Sequence, residues 1–123
     1  MRVLIVDDNA DITEVTSVLL DLMGHDCRAA TCAADALVVA EAFEPELAIL
    51  DLGLPDLSGY DLLGQLRSRL APRAPYATAL TGWPGARSKA LTAGFDHWLL
   101  KPATREQLCT VIELAQRRQR GGS

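Results

Sequence analysis

Leu47-Ala48-Ile49-Leu50-Asp51-Leu52-Gly53-Leu54-Pro55-Asp56-Leu57-Ser58-Gly59-Tyr60-Asp61-Leu62-Leu63 runs from a continuous apolar stretch into an acid, then through a turn into a helical period. Apolar residues without polar alternation predict a strand buried on both faces, as in a parallel sheet. Gly53 and Pro55 break the run. Ser58 is a candidate N-cap, and Leu62, Leu63, Leu66 and Leu70 fall on one helical face. The stretch is a strand–turn–helix unit with a carboxylate at the carboxyl end of its strand.

Related units lie on either side. Val3 to Val6 ends in Asp7-Asp8, Ala77 to Leu80 in Thr81, and Trp98 to Leu100 in Lys101. Cys27 to Ala30 is a weaker fifth strand. Helical periods lie between them: Ile12, Val15, Leu19 and Leu22 on one face, residues 32–43 as a second helix, and Leu108, Val111, Ile112 and Ala115 near the end. Residues 84–93 make a poor fourth helix, because Gly85 and small side chains leave little apolar face. Thr31 and Thr104 are further N-cap candidates, and Thr104 with Gln107 forms a capping-box pattern. Strands alternating with helices predict an α/β fold: a five-stranded parallel sheet, doubly wound, with five helices.

The 123 residues suit one domain, and 49% of them are apolar, enough for a real core. A net charge of −4 argues against a general nucleic-acid binder. Arg117, Arg118 and Arg120 read as a solvated helix end, where cations suit the dipole. Three cysteines, Cys27, Cys32 and Cys109, match no metal-ligand spacing and read as reduced thiols. Neither a signal peptide nor a membrane-length apolar run is visible, so a cytoplasmic location is expected. Residues 121–123 read as a flexible end after a domain over 1–120.

In open α/β sheets, sites lie beyond the carboxyl ends of the strands, at a topological switch point. The residues there are Asp7, Asp8, Asp51, Thr81 and Lys101. Packed carboxylates repel one another, and a hard divalent cation with oxygen ligands is the natural compensator. A carboxylate nucleophile, a metal, a hydroxyl and a fixed cation are the parts of a phosphoryl-transfer site. Singly, each Asp is as readily a turn or cap residue, Thr81 a turn residue before Gly82, and Lys101 a surface lysine. Their joint placement at four strand ends is what points to chemistry. His25 and His97 read as structural, since a relay histidine needs a helical bundle around it.

These residues resemble the receiver domain of bacterial two-component response regulators (CheY-like) over essentially the whole chain. Residues 3–9 resemble the family's first strand with its acidic pair, and 51–63 its phosphoacceptor loop and third helix. Residues 79–82 resemble its switch-hydroxyl strand end, and Gly94 to Pro102 its last strand. The resemblance implies the flavodoxin-like strand order 2-1-3-4-5. It implies phosphate on Asp51, and Mg2+ (or Mn2+ in its place) on Asp7, Asp8, Asp51 and the Gly53 carbonyl, with Asp7 acting largely through water. Thr81 and Lys101 would hold the phosphoryl group. A histidine kinase or phosphotransfer protein would be the donor, docking on Ala10, Ile12 and Val15 beside Pro102 and Ala103.

The implied signal passes through residues 81–98 to a downstream protein on the face of helix 4, strand 5 and helix 5. Trp98 stands where the family has a smaller aromatic, Gly53 replaces a longer side chain, and Trp83 lies two residues after Thr81. The segments 53–55 and 94–97 are similar to receivers attached to hybrid histidine kinases. On this reading the chain is no enzyme beyond self-phosphorylation and autodephosphorylation. The alternative is a small aspartate-based phosphatase or phosphotransferase of similar fold, against which stand the adjacent Asp7-Asp8 pair and the lack of a cap insertion. A flavin or nucleotide module would want a Gly-rich loop after the first strand, where Asp7-Asp8-Asn9 would repel phosphate. A receiver used only for docking would not need the full set of five residues.

Overall fold

A computed structural model describes residues 1–121. Five strands, β1 (Arg2–Val6), β2 (Asp26–Ala30), β3 (Leu47–Asp51), β4 (Tyr76–Thr81) and β5 (His97–Leu100), form one parallel sheet in the order β2-β1-β3-β4-β5. Alternation along each strand feeds two cores. Leu4, Val6, Ala48, Leu50, Ala77 and Ala79 face α2 (Ala33–Phe43), α3 (Gly59–Leu70) and α4 (Arg87–Thr92). Val3, Ile5, Leu47, Ile49 and Leu80 face α1 (Ala10–Leu22) and α5 (Arg105–Gly121). The chain leaves β1 toward one face and β3 toward the other, so the crevice between these neighbours is the switch point.

The predicted caps at Ser58 and Thr104 form. Ser58 Oγ accepts the Asp61 N–H at 3.1 Å. Gln107 N–H donates to Thr104 Oγ1 at 3.1 Å, and Thr104 N–H to Gln107 Oε1 at 2.9 Å. Leu108, Val111, Ile112 and Ala115 are all buried, as their spacing requires. The weak fourth helix is a 3-10 turn, Pro84–Ala86, followed by the six-residue α4.

Three expectations are corrected. The face chosen for α1 is displaced: Leu20 and Thr13 are buried, whereas Val15 is 60% and Leu22 80% exposed. Apolar residues surround most of α1, so periodicity alone does not choose among them; contact with β2 and β1 does. Thr31 is not the cap of α2. Cys32 holds that position without a side-chain bond, and the Asp56 carboxylate accepts from Ala33 and Ala34 instead. Arg118 is more than a solvated helix end: it pairs with Asp96 at 3.1 Å and lies over the Tyr76 ring. Gly121 closes α5, while 122 and 123 of the expected flexible end lie outside the described residues.

Two glycines of α3 should respond to alanine with opposite signs. At Gly59 a Cβ would collide with the Asp51 carbonyl oxygen and stand 2.8 Å from Leu52 Cα, whereas at Gly64 it meets nothing within 4 Å. Gly59→Ala should cost about 1–3 kcal/mol by overpacking. Gly64→Ala should add about 0.5–1 kcal/mol through helix propensity. Urea denaturation measures both; destabilisation by Gly64→Ala, or none by Gly59→Ala, would contradict this packing.

Candidate functional site

The site forms where β1 and β3 end side by side. Asp7 follows β1 and is fully buried, Asp8 projects into solvent, and Asp51 closes β3 at 5% exposure. One carboxylate oxygen from each of the three lies within 4.8 Å of the others. Lys101 directly follows β5, and its Nζ is 2.8 Å from Asp7 Oδ2 and 3.3 Å from Asp51 Oδ2. The lysine therefore reaches past β4 to bridge the two buried acids. β4 contributes Thr81, buried at the strand end, whose carbonyl accepts the Lys101 N–H at 2.7 Å. All the strand-end residues singled out from sequence thus come to one edge of the sheet.

Backbone donors complete the site. Gly53 N–H donates to Asp51 Oδ1 at 3.1 Å, and Asn9 N–H to Asp7 Oδ1 at 2.9 Å. Asn9 also caps α1 by accepting the Asp11 N–H at 3.0 Å. Thr81 Oγ1 accepts the Trp83 N–H at 3.1 Å. Trp83 itself is 64% exposed, and its ring covers Gly85. Trp98 is half-buried against the α2–α3–α4 core, and its indole N–H is buried with no acceptor among the described residues. Asn9 was findable in sequence as a polar cap before an apolar period. Asp56 was not, because its partners lie 23 and 22 residues away.

Electrostatically, three carboxylates face one ammonium. Burial raises the Asp51 carboxyl above the ordinary aspartate range; the Gly53 N–H lowers it, the Asp7 charge raises it, and Lys101 lowers it, and the balance stays upward. Burial alone would lower Lys101, but hydrogen bonding and charge from Asp7 and Asp51 outweigh it and hold its ammonium above the ordinary value. Asp7 Oδ2 is buried, and the Lys101 ammonium at 2.8 Å is its close partner. Residual negative charge, three carboxylate oxygens within 4.8 Å of one another and the exposed Asp8 carboxylate together suit a hard divalent cation. These acids fit a metal site of the kind typical of receiver domains. No helix among the described residues is long and apolar enough to cross a membrane.

The family model described as "Response regulator receiver domain" matches residues 3–113. The transcriptional regulatory protein KdpE of Mycobacterium tuberculosis is 35% identical over 116 residues, covering 94% of this chain and 51% of that protein. The virulence transcriptional regulatory protein PhoP of Salmonella typhimurium is 34% identical over 122 residues, covering 98% of this chain and 54% of that one. The chain therefore spans about half the length of these curated relatives. A crystal structure of a response regulator receiver domain protein (CheY-like) from Methanospirillum hungatei superposes with a TM-score of 0.87 at 29% identity, covering 99% of this chain and 98% of that one.

The raised carboxyl of Asp51 fixes the sign of a pH effect. A group that binds its proton more tightly when folded stabilises the fold below its ordinary value, here 3.8, and loses that contribution as pH rises through the raised value. Above the raised value the ionised carboxylate is thus a burden on the metal-free fold. In a chelator, Asp51→Asn should melt higher than the parent at pH 7, and the gap should close as pH falls toward 3.8. Thermal melts across that range test it; a lower melting temperature for the variant at pH 7 would contradict the balance described.

Proposed function

This chain belongs to the response regulator receiver domain family, and on that premise we propose that Asp51 is the residue that accepts the phosphoryl group. As a receiver domain of two-component signalling it is a phosphoacceptor and not a conventional enzyme. The observation that carries the assignment is the triad itself. Of the acids whose ligand atoms lie within 4.8 Å of one another, Asp51 alone ends the strand between β1 and β4. It lies within reach of Lys101 and of the Gly53 N–H. Asp7 is enclosed by Lys101 and the Asn9 N–H, and Asp8 precedes the α1 cap.

Asp7, Asp8, Asp51 and the Gly53 carbonyl are proposed to hold Mg2+, with Mn2+ as a substitute. The metal's chemistry would be to neutralise charge as a phosphoryl dianion approaches. The residues of the chain do the rest. An Asp51 oxygen forms a bond to phosphorus while the bond from phosphorus to the donor's imidazole nitrogen breaks, and the imidazole leaves with a proton. Lys101 pairs with the transferred oxygens. Thr81 turns its hydroxyl toward them, which withdraws the acceptor from the Trp83 N–H and loosens the turn leading into α4. Only Ala86 and Ala90 are buried in the segment Pro84–Thr92, so it is weakly held and suited to two arrangements.

A histidine kinase partner follows from the family; a phosphotransfer protein as donor, and docking beside the site, are proposals. The α1 face with Ala10, Ile12 and Val15, next to Pro102 and Ala103, is the proposed donor surface. The exposure of Val15 and Val18 supports it. The face of α4, β5 and α5 is the proposed output surface, 1–120 the proposed extent of the domain, and the cytoplasm its proposed location.

A small phosphodonor such as acetyl phosphate, with Mg2+ and mass spectrometry, tests the acceptor. Label should map to Asp51, fall to background in Asp51→Asn and in a chelator, and fall further in Asp8→Ala than in Asp7→Ala. Full labelling of Asp51→Asn would overturn the assignment.

A further inference from the structure

We propose that Asp56 is a positioning residue of the phosphoacceptor site, holding the loop between β3 and α3 in place by capping α2 from outside that helix. Asp56 Oδ1 accepts the Ala33 N–H at 2.9 Å and Oδ2 accepts the Ala34 N–H at 3.0 Å, so each carboxylate oxygen takes one free amide of the first turn. Cys32 makes no side-chain cap bond, so the helix depends on the loop for this service. The dependence also runs the other way. Residues 52–58 form no helix or strand. Their backbone is tied at the start by Leu52 N–H to the Leu80 carbonyl, and at the end by Gly59 N–H to the Leu52 carbonyl. Between Leu54 and Leu57, the carboxylate of Asp56 is the hydrogen-bonding tie to the body of the protein among the described residues.

That tie lies three residues beyond Gly53, whose N–H holds Asp51 Oδ1. Gly53 has no Cβ to pack, and a Cβ there would meet nothing within 4 Å, so no side-chain contact fixes its peptide groups. Leu52, Leu54 and Leu57 are partly buried against the α2–α3–α4 core, which sets the loop's height but leaves Gly53 between them without a side chain to set the direction of its peptide groups. A bidentate carboxylate bound to two amides sets direction as well as distance. Releasing it lets the Gly53 peptide turn, and both its N–H on Asp51 and its carbonyl beside the metal position lose their aim. Asp56 touches neither metal nor phosphate; it acts through Gly53. The inference rests on the reading of Asp51 as acceptor with metal beside it.

The test uses the full chain as wild type, Asp56→Ala, Asp56→Asn and Val38→Gly. Val38 is 71% exposed on α2, so glycine there weakens the helix by propensity alone and leaves the loop tied. Hydrogen exchange in a chelator should show faster exchange at Ala33, Ala34 and residues 53–57 in Asp56→Ala, independent of any metal. Mg2+ titration by calorimetry should show a dissociation constant about tenfold higher in Asp56→Ala, as is usual when a residue supporting the ligands is lost. Asp56→Asn, which keeps one acceptor oxygen, should fall between, and Val38→Gly should bind Mg2+ as wild type does. Unchanged Mg2+ affinity in Asp56→Ala alongside faster exchange at Ala33 and Ala34 would make the residue a helix cap only and overturn the proposal. So would an equal loss of affinity in Val38→Gly. If wild type binds no Mg2+, the metal-assisted reading of the site fails, and this inference with it.

Discussion

Two buried carboxylates held by a single ammonium are the constraint on which the rest of the structure depends. Asp7 and Asp51 end neighbouring strands, and Lys101 comes from β5, with β4 between. Buried charges without partners are very costly, so the sheet must bring the end of β5 level with the ends of β1 and β3. The Lys101 N–H on the Thr81 carbonyl keeps that level. The lysine's flexible four-carbon stem spans the remaining gap while leaving 22% of the side chain exposed. Under the proposed function, phosphoryl chemistry and fold share the same residues, and the acids that would repel one another are the ones the transfer would use.

The opposite pole is built to stay still. Asp96 Oδ2 accepts the Ala77 N–H at 2.9 Å and Arg118 at 3.1 Å, with Arg67 at 3.6 Å, joining α3, α5 and the start of β4. Arg118 also covers Tyr76. At the functional pole, α4 presses alanines against the core and is steadied at its surface by Lys89 over the Tyr60 ring. Under the proposed switch, a well-tied base below a lightly held segment would let a small change at Thr81 be expressed in one place. The exposed Trp83 and half-buried Trp98 bracket that segment.

How much of this was legible in sequence divides along physical lines. Strands ending in Asp7, Asp51, Thr81 and Lys101 were legible because a strand buried on both faces is mostly apolar, so the polar residue after its last apolar one marks the end, with Thr78 inside β4 the buried exception. The capping box of Thr104 and Gln107, and the buried face of α5, were legible because their partners lie within a few positions. The buried side of α1 was not: Ile12, Val15, Val18, Leu19, Leu20 and Leu22 surround the helix, and Thr13 is buried because its hydroxyl donates to the Ala10 carbonyl. The cap of α2 by Asp56 was out of reach for a different reason, since no local pattern announces a bond between residues 23 positions apart.

If Lys101 stands as the counter-charge of the metal-free site, it shares the acids with an arriving cation, and removing it has two opposite effects. The direct measurement is a pair of curves on Lys101→Met beside wild type: urea denaturation in a chelator and a Mg2+ titration by calorimetry. The account predicts a loss of about 3 kcal/mol in the chelator, the scale of breaking a buried pair, together with tighter Mg2+ binding, because the competing ammonium is gone. Undiminished stability without metal, combined with unchanged or weaker Mg2+ binding, would contradict it.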